Sequence, residues 1–134
     1  MVKARGATGT TRTLRSFPEP ADTEMGEMKY TLERDGDLAR LSLEGEVDMR
    51  LAPRLRSLMH EILDDRPSRL VVDLASVPFI DSSGVATLVE ALRMQMEAGR
   101  SLQIVNPSDP VYYTFKITQL TKVFGMDDPE EVAP

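Results

Sequence analysis

From Met28 to Phe124 the apolar residues follow two spacings in turn, and this pattern restricts the fold more than any other feature. In some short segments every second residue is apolar or the apolar run is continuous, which is typical of β-strands. In longer segments between them apolar residues recur every three or four positions, which is typical of amphipathic helices. Because neighbouring parallel strands need a helical crossover, this order predicts an α/β fold. We expect a small mixed sheet of four to five strands with helices packed against it.

The predicted order of elements is β-β-α-β-α-β-α-β. The first two strands form a hairpin around Arg34-Asp35-Gly36-Asp37, because Asp-Gly favours tight turns between alternating apolar residues. The continuous apolar run Arg69–Leu74 predicts a strand covered on both faces. The remaining elements are recognised by their apolar residues: Leu51, Leu55, Leu58, Met59 and Ile62 for the first helix; Val85, Leu88, Val89, Leu92 and Met96 for the second; Leu102 to Val105 for a strand; Val111 and Phe115 for the third helix; Leu120, Val123 and Phe124 for a final strand.

Composition excludes several classes of functional site. The chain has no Cys and a single His, His60, which excludes thiolate zinc sites, disulfides and clustered-histidine metal sites. No apolar run approaches the roughly 18 residues that a membrane span requires, and the N-terminus lacks the apolar core of a signal peptide. The net charge of -6 argues against a surface that neutralises nucleic-acid phosphates. We therefore expect a cytoplasmic protein that binds no nucleic acid, metal or cofactor.

Charge is distributed unevenly along the 134 residues. Residues 1–16 contain four basic side chains and no acidic one, and they are rich in Gly and Thr without apolar periodicity. Such segments bury too little apolar surface to offset the entropy of ordering. We predict a flexible basic and polar extension over 1–26, one folded domain over 27–126, and a frayed acidic tail over 127–134.

The sequence Asp81-Ser82-Ser83-Gly84 falls where a predicted loop passes into the second helix. The first backbone N–H groups of a helix lack intrahelical acceptors, and the helix dipole places positive charge there. A serine hydroxyl in this position, Ser82 or Ser83, could cap the helix, with Gly84 fitting a tight bend. A phosphorylated serine could instead accept the same amide hydrogens. The four residues alone leave both interpretations open.

Two longer motifs resemble those of the STAS domain family of anti-sigma factor antagonists. They are Gly45-Glu46-Val47-Asp48 and Phe79-Ile80-Asp81-Ser82-Ser83-Gly84-Val85, and the resemblance extends from about Met28 to Phe124. It implies a STAS-like sheet covered by helices and a regulatory switch rather than an enzyme. The unphosphorylated form would bind a GHKL-type serine kinase that otherwise holds a sigma factor. Phosphorylation by that kinase would abolish binding, and a metal-dependent phosphatase would reverse it.

The resemblance also implies which residues act. It assigns the phosphoryl group to Ser82, directly after the aspartate, with Ser83 as its neighbour and cap. Phosphorylation would add roughly -1.5 to -2 charge beside Asp81 and close to Asp48. A partner whose surface is shaped for a hydroxyl would then be repelled, while this chain stays folded. We predict a partner surface made of the following residues: Asp48, Asp81, Ser82, Ser83, Gly84, Val85, Thr87 and Met94.

Several of these residues also have ordinary structural explanations. Asp48 could orient the phosphorylatable loop or simply cap the first helix. Thr87 and Met94 could line a partner groove or belong to a solvated helix face. Acidic residues occupy every second position at Glu44, Glu46 and Asp48, as the ligands of a metal ion could. A solvated strand end is the simpler interpretation. His60 is interpreted as a surface histidine without a recognisable partner.

The chain departs from the family pattern at Val85-Ala86, where many antagonists have Leu-Gly. STAS domains also occur as accessory subunits that brace the ATPase of lipid-trafficking ABC transporters, and this is the alternative function. A serine hydrolase using Ser82 would need a general base that the sequence does not offer.

Overall fold

The computed structural model describes residues 29–126, so the predicted extension over 1–26 and the predicted tail over 127–134 lie outside the described residues. Seven elements follow one another in this range. In chain order they are β1 (Lys29–Asp35), β2 (Leu38–Glu44), α1 (Ala52–Asp64), β3 (Arg69–Ser76), α2 (Ser82–Glu97), β4 (Ser101–Val105) and α3 (Asp109–Ile117).

The strands form one sheet in the order β1-β2-β3-β4. β1 and β2 pair antiparallel through the predicted hairpin, whereas β2–β3 and β3–β4 pair parallel, with α1 and α2 as the crossovers. The predicted mixed α/β sheet is therefore confirmed, with four strands. The predicted strand at Arg69–Leu74 is also confirmed, as the interior strand β3.

The core lies between one face of the sheet and the helices. Leu41, Leu70, Val72 and Ile104 are fully buried on that face, because alternate strand residues point the same way. α1 packs against α2, and the five predicted apolar positions of α1 are all buried. The opposite face of the sheet carries polar side chains such as Glu33 and Gln103, which are exposed. One core therefore fixes the two crossover helices on the same side of the sheet.

The predicted apolar stripe of α2 is wrong at its last residue. Met96 is exposed, and Gln95 is buried in its place with 2% exposure. The Gln95 Nε2 donates to the main-chain oxygens of Pro67 and Ser101, at 3.1 and 2.8 Å. These two acceptors allow a polar side chain to occupy a core position.

The predicted final strand is also wrong, because residues 121–125 form turns. Phe124 N donates to Leu120 O at 3.3 Å and Met126 N donates to Thr121 O at 2.9 Å, so these N–H groups are used locally rather than in a sheet. One bond reaches β4, from Ile104 N to Phe124 O at 2.9 Å. The spacing of the three apolar residues predicts a strand, but the turn inserts Phe124 into the core, edge-on against Phe115.

Candidate functional site

The two motifs singled out in the sequence lie side by side in the structure. Val47 N donates to Phe79 O at 2.9 Å, and Asp81 N donates to Val47 O at 3.1 Å, which forms a parallel β-bridge between Val47 and Ile80. This bridge continues the direction of the parallel strands β2 and β3 beyond their ends. The sheet therefore brings segment 45–51 against segment 79–84.

Gly84 allows the start of α2 to rest directly on this bridge. A Cβ atom at Gly84 would lie 2.7 Å from Ile80 Cγ1 and 2.8 Å from Val47 Cγ1, which is closer than carbon atoms approach without displacement. The glycine in the predicted loop therefore serves close packing of a helix against the bridge rather than a tight bend.

Asp81, and not a serine, caps α2. Its Oδ1 accepts hydrogen bonds from Ser83 N at 2.9 Å, Gly84 N at 3.1 Å and Ser83 Oγ at 2.6 Å. Its Oδ2 accepts one from Met49 N at 3.1 Å, across the junction of the two segments. The prediction that Ser82 or Ser83 caps the helix is wrong, because Asp81 has the extended backbone of an N-cap while both serines are already helical.

These hydrogen bonds also govern the charge of Asp81. Burial raises the pKa of its carboxyl group, but the hydrogen bonds from Ser83, Gly84 and Met49 outweigh burial and hold the pKa below its ordinary value. Asp81 is therefore a carboxylate at neutral pH, and it already accepts the amide hydrogens that the sequence assigned to a bound anion.

The two serines differ in what their hydroxyl groups do. The Ser83 hydroxyl is occupied as a donor to Asp81. Ser82 is the exposed first residue of α2, and within residues 29–126 no side-chain hydrogen bond engages its hydroxyl group. Ser82 therefore presents a free hydroxyl to solvent at the junction of the two segments.

Asp48 is held by its neighbour Arg50 rather than by α1. Its carboxylate accepts from Arg50 N at 3.0 Å and from the guanidinium at 3.0 and 3.2 Å. The hydrogen bond from this guanidinium is the largest cause that lowers the pKa of Asp48. Asp48 is not the side-chain cap of α1, whose N-cap residue is Leu51 and has no side-chain cap bond. The main-chain oxygen of Asp48 instead accepts from Leu51 N and Ala52 N.

Two exposed apolar side chains flank the junction and were not identified from the sequence. Met49 is 71% exposed and Phe79 is 45% exposed. Each belongs to one of the two adjoining segments. Met49 could have been suspected, because it stands between Asp48 and Arg50, outside the apolar stripe that begins at Leu51.

Three residues predicted for the partner surface lie elsewhere. Val85 and Thr87 are buried, and the Thr87 hydroxyl donates to Ser83 O at 2.9 Å within α2. Met94 packs partly buried against the core, three turns of helix beyond Ser82. Of the predicted set, Asp48, Asp81, Ser82, Ser83 and Gly84 are the residues that the structure brings together.

The other titratable candidates are not part of this junction. His60 does have a partner, since its Nε2 lies 3.3 Å from a carboxylate oxygen of Glu90, which also pairs with Arg56 at 3.1 Å. Burial raises the pKa of Glu90, but the hydrogen bond from His60 and the charge of Arg56 outweigh it and lower that pKa.

Within residues 29–126 no cluster of three or more metal-ligating side chains occurs, at Glu44, Glu46 and Asp48 or elsewhere. No helix in the same range is long and apolar enough to cross a membrane.

Comparison with known proteins agrees with the motifs. The family model described as "STAS domain" matches residues 29–133. The anti-sigma-B factor antagonist of Listeria monocytogenes is 26% identical over 98 residues, which cover 73% of this chain and 86% of that protein. That of Staphylococcus aureus is 27% identical over 88 residues, which cover 66% and 82%.

Solved structures show the same fold. An anti-sigma factor antagonist from Mycobacterium paratuberculosis superposes with a TM-score of 0.68 at 25% identity, covering 75% of this chain and 85% of that one. The unphosphorylated form of the anti-sigma factor antagonist SpoIIAA superposes with a TM-score of 0.64 at 21% identity, covering 76% and 90%. SpoIIAA has also been solved in a phosphorylated form, which superposes with a TM-score of 0.59 at 20% identity, covering 76% and 94%.

Proposed function

This chain belongs to the STAS domain family, and we propose that it is an anti-sigma factor antagonist that acts by partner switching. In its unphosphorylated form it binds a GHKL-type serine kinase that otherwise holds a sigma factor, and so releases that factor. Phosphorylation of Ser82 ends the binding, and a metal-dependent phosphatase restores it. The chain is a substrate and a binding partner rather than an enzyme, and it acts in the cytoplasm. The names of the relatives support this general role.

The observation that carries the proposal is the contrast between the two serine hydroxyls. Ser83 Oγ lies 2.6 Å from Asp81 Oδ1 and serves the helix cap, whereas Ser82 is exposed at the first position of α2. A kinase can reach the Ser82 oxygen without breaking a hydrogen bond of the fold. The β-bridge between Val47 and Ile80 and the Asp81 cap position the backbone that carries Ser82, which helps a kinase to recognise the site.

In the transfer, the bond between the γ-phosphorus of ATP and the oxygen bridging to ADP breaks. A bond forms between that phosphorus and Ser82 Oγ, and the hydroxyl proton passes to a base of the kinase. ATP, its metal ion and the base all belong to the kinase, so the chain needs no catalytic group of its own. ADP is the leaving product.

The surroundings of Ser82 explain why a phosphoryl group ends binding. The exposed side chains of Met49 and Phe79 offer apolar area to a partner, and the Ser82 hydroxyl at the same junction is uncharged. Phosphorylation places roughly -1.5 to -2 charge at this position, beside the carboxylates of Asp48 and Asp81. A partner surface that buries Met49 and Phe79 would then have to desolvate a dianion, which is strongly unfavourable.

The test incubates the full chain and ATP with each serine kinase encoded in its gene neighbourhood. Mass spectrometry should find one phosphate on Ser82 of the wild type and none on Ser82→Ala. The Ser82→Ala variant should remain bound to the kinase in the presence of ATP, whereas the wild type is released. Ser83→Ala is the matched control, because it removes the neighbouring hydroxyl, and it should still be phosphorylated at residue 82.

Two results would contradict the proposal. One is a wild-type chain that stays unmodified with every kinase encoded in its gene neighbourhood. The other is co-purification with a transporter ATPase instead of a soluble kinase, which is the result expected of an accessory subunit of a lipid-trafficking ABC transporter.

A further inference from the structure

Three amide groups at the start of α2 already have acceptors within the fold. Asp81 Oδ1 accepts from Ser83 N and Gly84 N, and Asp81 O accepts from Val85 N at 3.0 Å. A phosphoserine at residue 82 therefore cannot be neutralised by these three donors while the Asp81 cap persists. A cation close to the first turn of α2 would stabilise it.

Arg50 is a cation one residue away from a contact between segment 45–51 and Asp81. Met49 N lies 3.1 Å from the carboxylate of Asp81, so residues 49 and 81 are in contact. Arg50 directly follows Met49 and Ser82 directly follows Asp81, and consecutive Cα atoms are only about 3.8 Å apart. The long side chain of Arg50 can span the distance from its own Cα atom to the side chain of Ser82.

The present partner of the Arg50 guanidinium is the Asp48 carboxylate. The Arg50 side chain is 63% exposed and pairs with Asp48 at 3.0 Å. Asp48 and Glu46 both raise the pKa of Arg50, so its charge is permanent in this acidic surrounding. Because the Arg50 side chain is largely exposed, its guanidinium can exchange one anion for another at small cost. A phosphate dianion carries more charge than a carboxylate and accepts two parallel hydrogen bonds from one guanidinium.

We propose that Arg50 is the phosphate-binding residue of the phosphorylated form. Its guanidinium leaves the Asp48 carboxylate and pairs with the phosphoryl oxygens on Ser82. This inference rests on the proposed function, in that Ser82 is the modified residue. It adds a second consequence of phosphorylation, because the departure of Arg50 leaves the Asp48 carboxylate as an unpaired negative charge on the partner surface. Phosphorylation would therefore change the charge presented at two positions.

The experiment places phosphoserine at residue 82 of the full chain by genetically encoded incorporation, so no kinase is needed. A 31P NMR titration then measures the second pKa of the phosphate, which is about 6 in an unperturbed phosphoserine. A nearby positive charge lowers this pKa, because it favours the dianion. In Arg50→Gln we expect the pKa to rise by about 0.5 unit relative to the wild-type side chain. Arg50→Lys, which keeps the charge without the paired donors, should give an intermediate value.

The matched control is Arg93→Gln, which removes the same charge from an exposed position about three turns further along α2. It should leave the phosphate pKa unchanged. The inference is overturned if Arg50→Gln leaves that pKa unchanged, or if Arg93→Gln raises it equally. Because the phosphoserine is incorporated during translation, this result is independent of whether a kinase modifies Ser82. Failure of the proposed function and failure of this inference are thus separate observations.

Discussion

The carboxylate of Asp81 joins three parts of the chain. It accepts hydrogen bonds from Met49 in segment 45–51 and from Ser83 and Gly84 in the first turn of α2. It directly precedes Ser82, whose orientation therefore depends on it. At the scale of single residues, the geometry of the proposed phosphorylation site depends more on this acid than on the serines.

Replacing Asp81 should destabilise the fold in graded steps. Asp81→Ala removes the cap and the bond from Met49, and we expect a loss of about 1–2 kcal/mol in the free energy of unfolding. Asp81→Asn should lose less, because Asn is an equally good N-cap residue but offers one acceptor oxygen instead of two. Urea denaturation at neutral pH measures both variants against the wild type. Equal stability of Asp81→Ala and the wild type would contradict the role assigned to the cap.

The wild type and Asp81→Asn should differ in how their stability depends on pH. The folded pKa of Asp81 lies below its unfolded value, which is about 3.9. Its ionic contribution is therefore fully present above that unfolded pKa and is lost as pH falls through the lower, folded pKa. The stability difference between the wild type and Asp81→Asn should shrink in acid over this window. A difference that stays constant down to pH 2 would show that the charge of Asp81 makes no contribution.

At the scale of elements, α2 is attached at both ends by polar groups. Asp81 ties its start to segment 45–51, and Gln95 ties its end to the main chain at Pro67 and Ser101. The buried stripe between these ends includes Leu88 and Ala91. The first turn of α2, which carries Ser82, is consequently part of a helix whose position is set at both termini.

Gln95→Leu should destabilise the protein by about 1–3 kcal/mol, although it replaces a polar side chain in the core by an apolar one. The reason is that the carbonyl groups of Pro67 and Ser101 lose their donor, and at Pro67 this leaves a buried acceptor without it. Thermal or urea denaturation measures the change. Met96→Gln, at the adjacent exposed position, is the matched control and should stay within about 0.5 kcal/mol. A neutral or stabilising Gln95→Leu would contradict this account.

At the scale of the whole molecule, the last described residues complete the core. Phe124 is fully buried, and its ring meets that of Phe115 edge-on, with centroids 5.3 Å apart and an interplanar angle of 87°. Its main-chain oxygen accepts from Ile104 in β4. The turn at 121–125 thus links α3 to the outer strand of the sheet.

Phe124→Ala should lower the free energy of unfolding by about 3–5 kcal/mol, because it removes a fully buried ring and leaves a cavity. Urea denaturation of the full chain measures this loss. Val123→Ala removes the exposed apolar side chain beside it and should change stability by less than about 0.5 kcal/mol. Similar small effects for both variants would show that the C-terminal turn does not complete the core.

Much of the architecture could be predicted from the sequence, because the spacing of apolar residues depends on local geometry. A strand presents alternate residues to the core and a helix presents every third or fourth, so the hairpin, the run at Arg69–Leu74 and the stripe of α1 each indicated their own element. This rule failed where the segment was short. Leu120, Val123 and Phe124 fit a strand and a turn equally well, and only their hydrogen-bond partners distinguish the two.

The sequence by itself determined the elements, most of the core and the two motifs that identify the family. The tertiary structure decided which groups meet at the junction of those motifs. Three features depend on the parallel course of two chain segments far apart in sequence. Asp81 rather than a serine caps α2, Gly84 rests on Val47 and Ile80, and Met49 N donates to the Asp81 carboxylate. Hydrogen bonds and ion pairs act over a few ångströms, so their partners are chosen only when the sheet has brought those segments together.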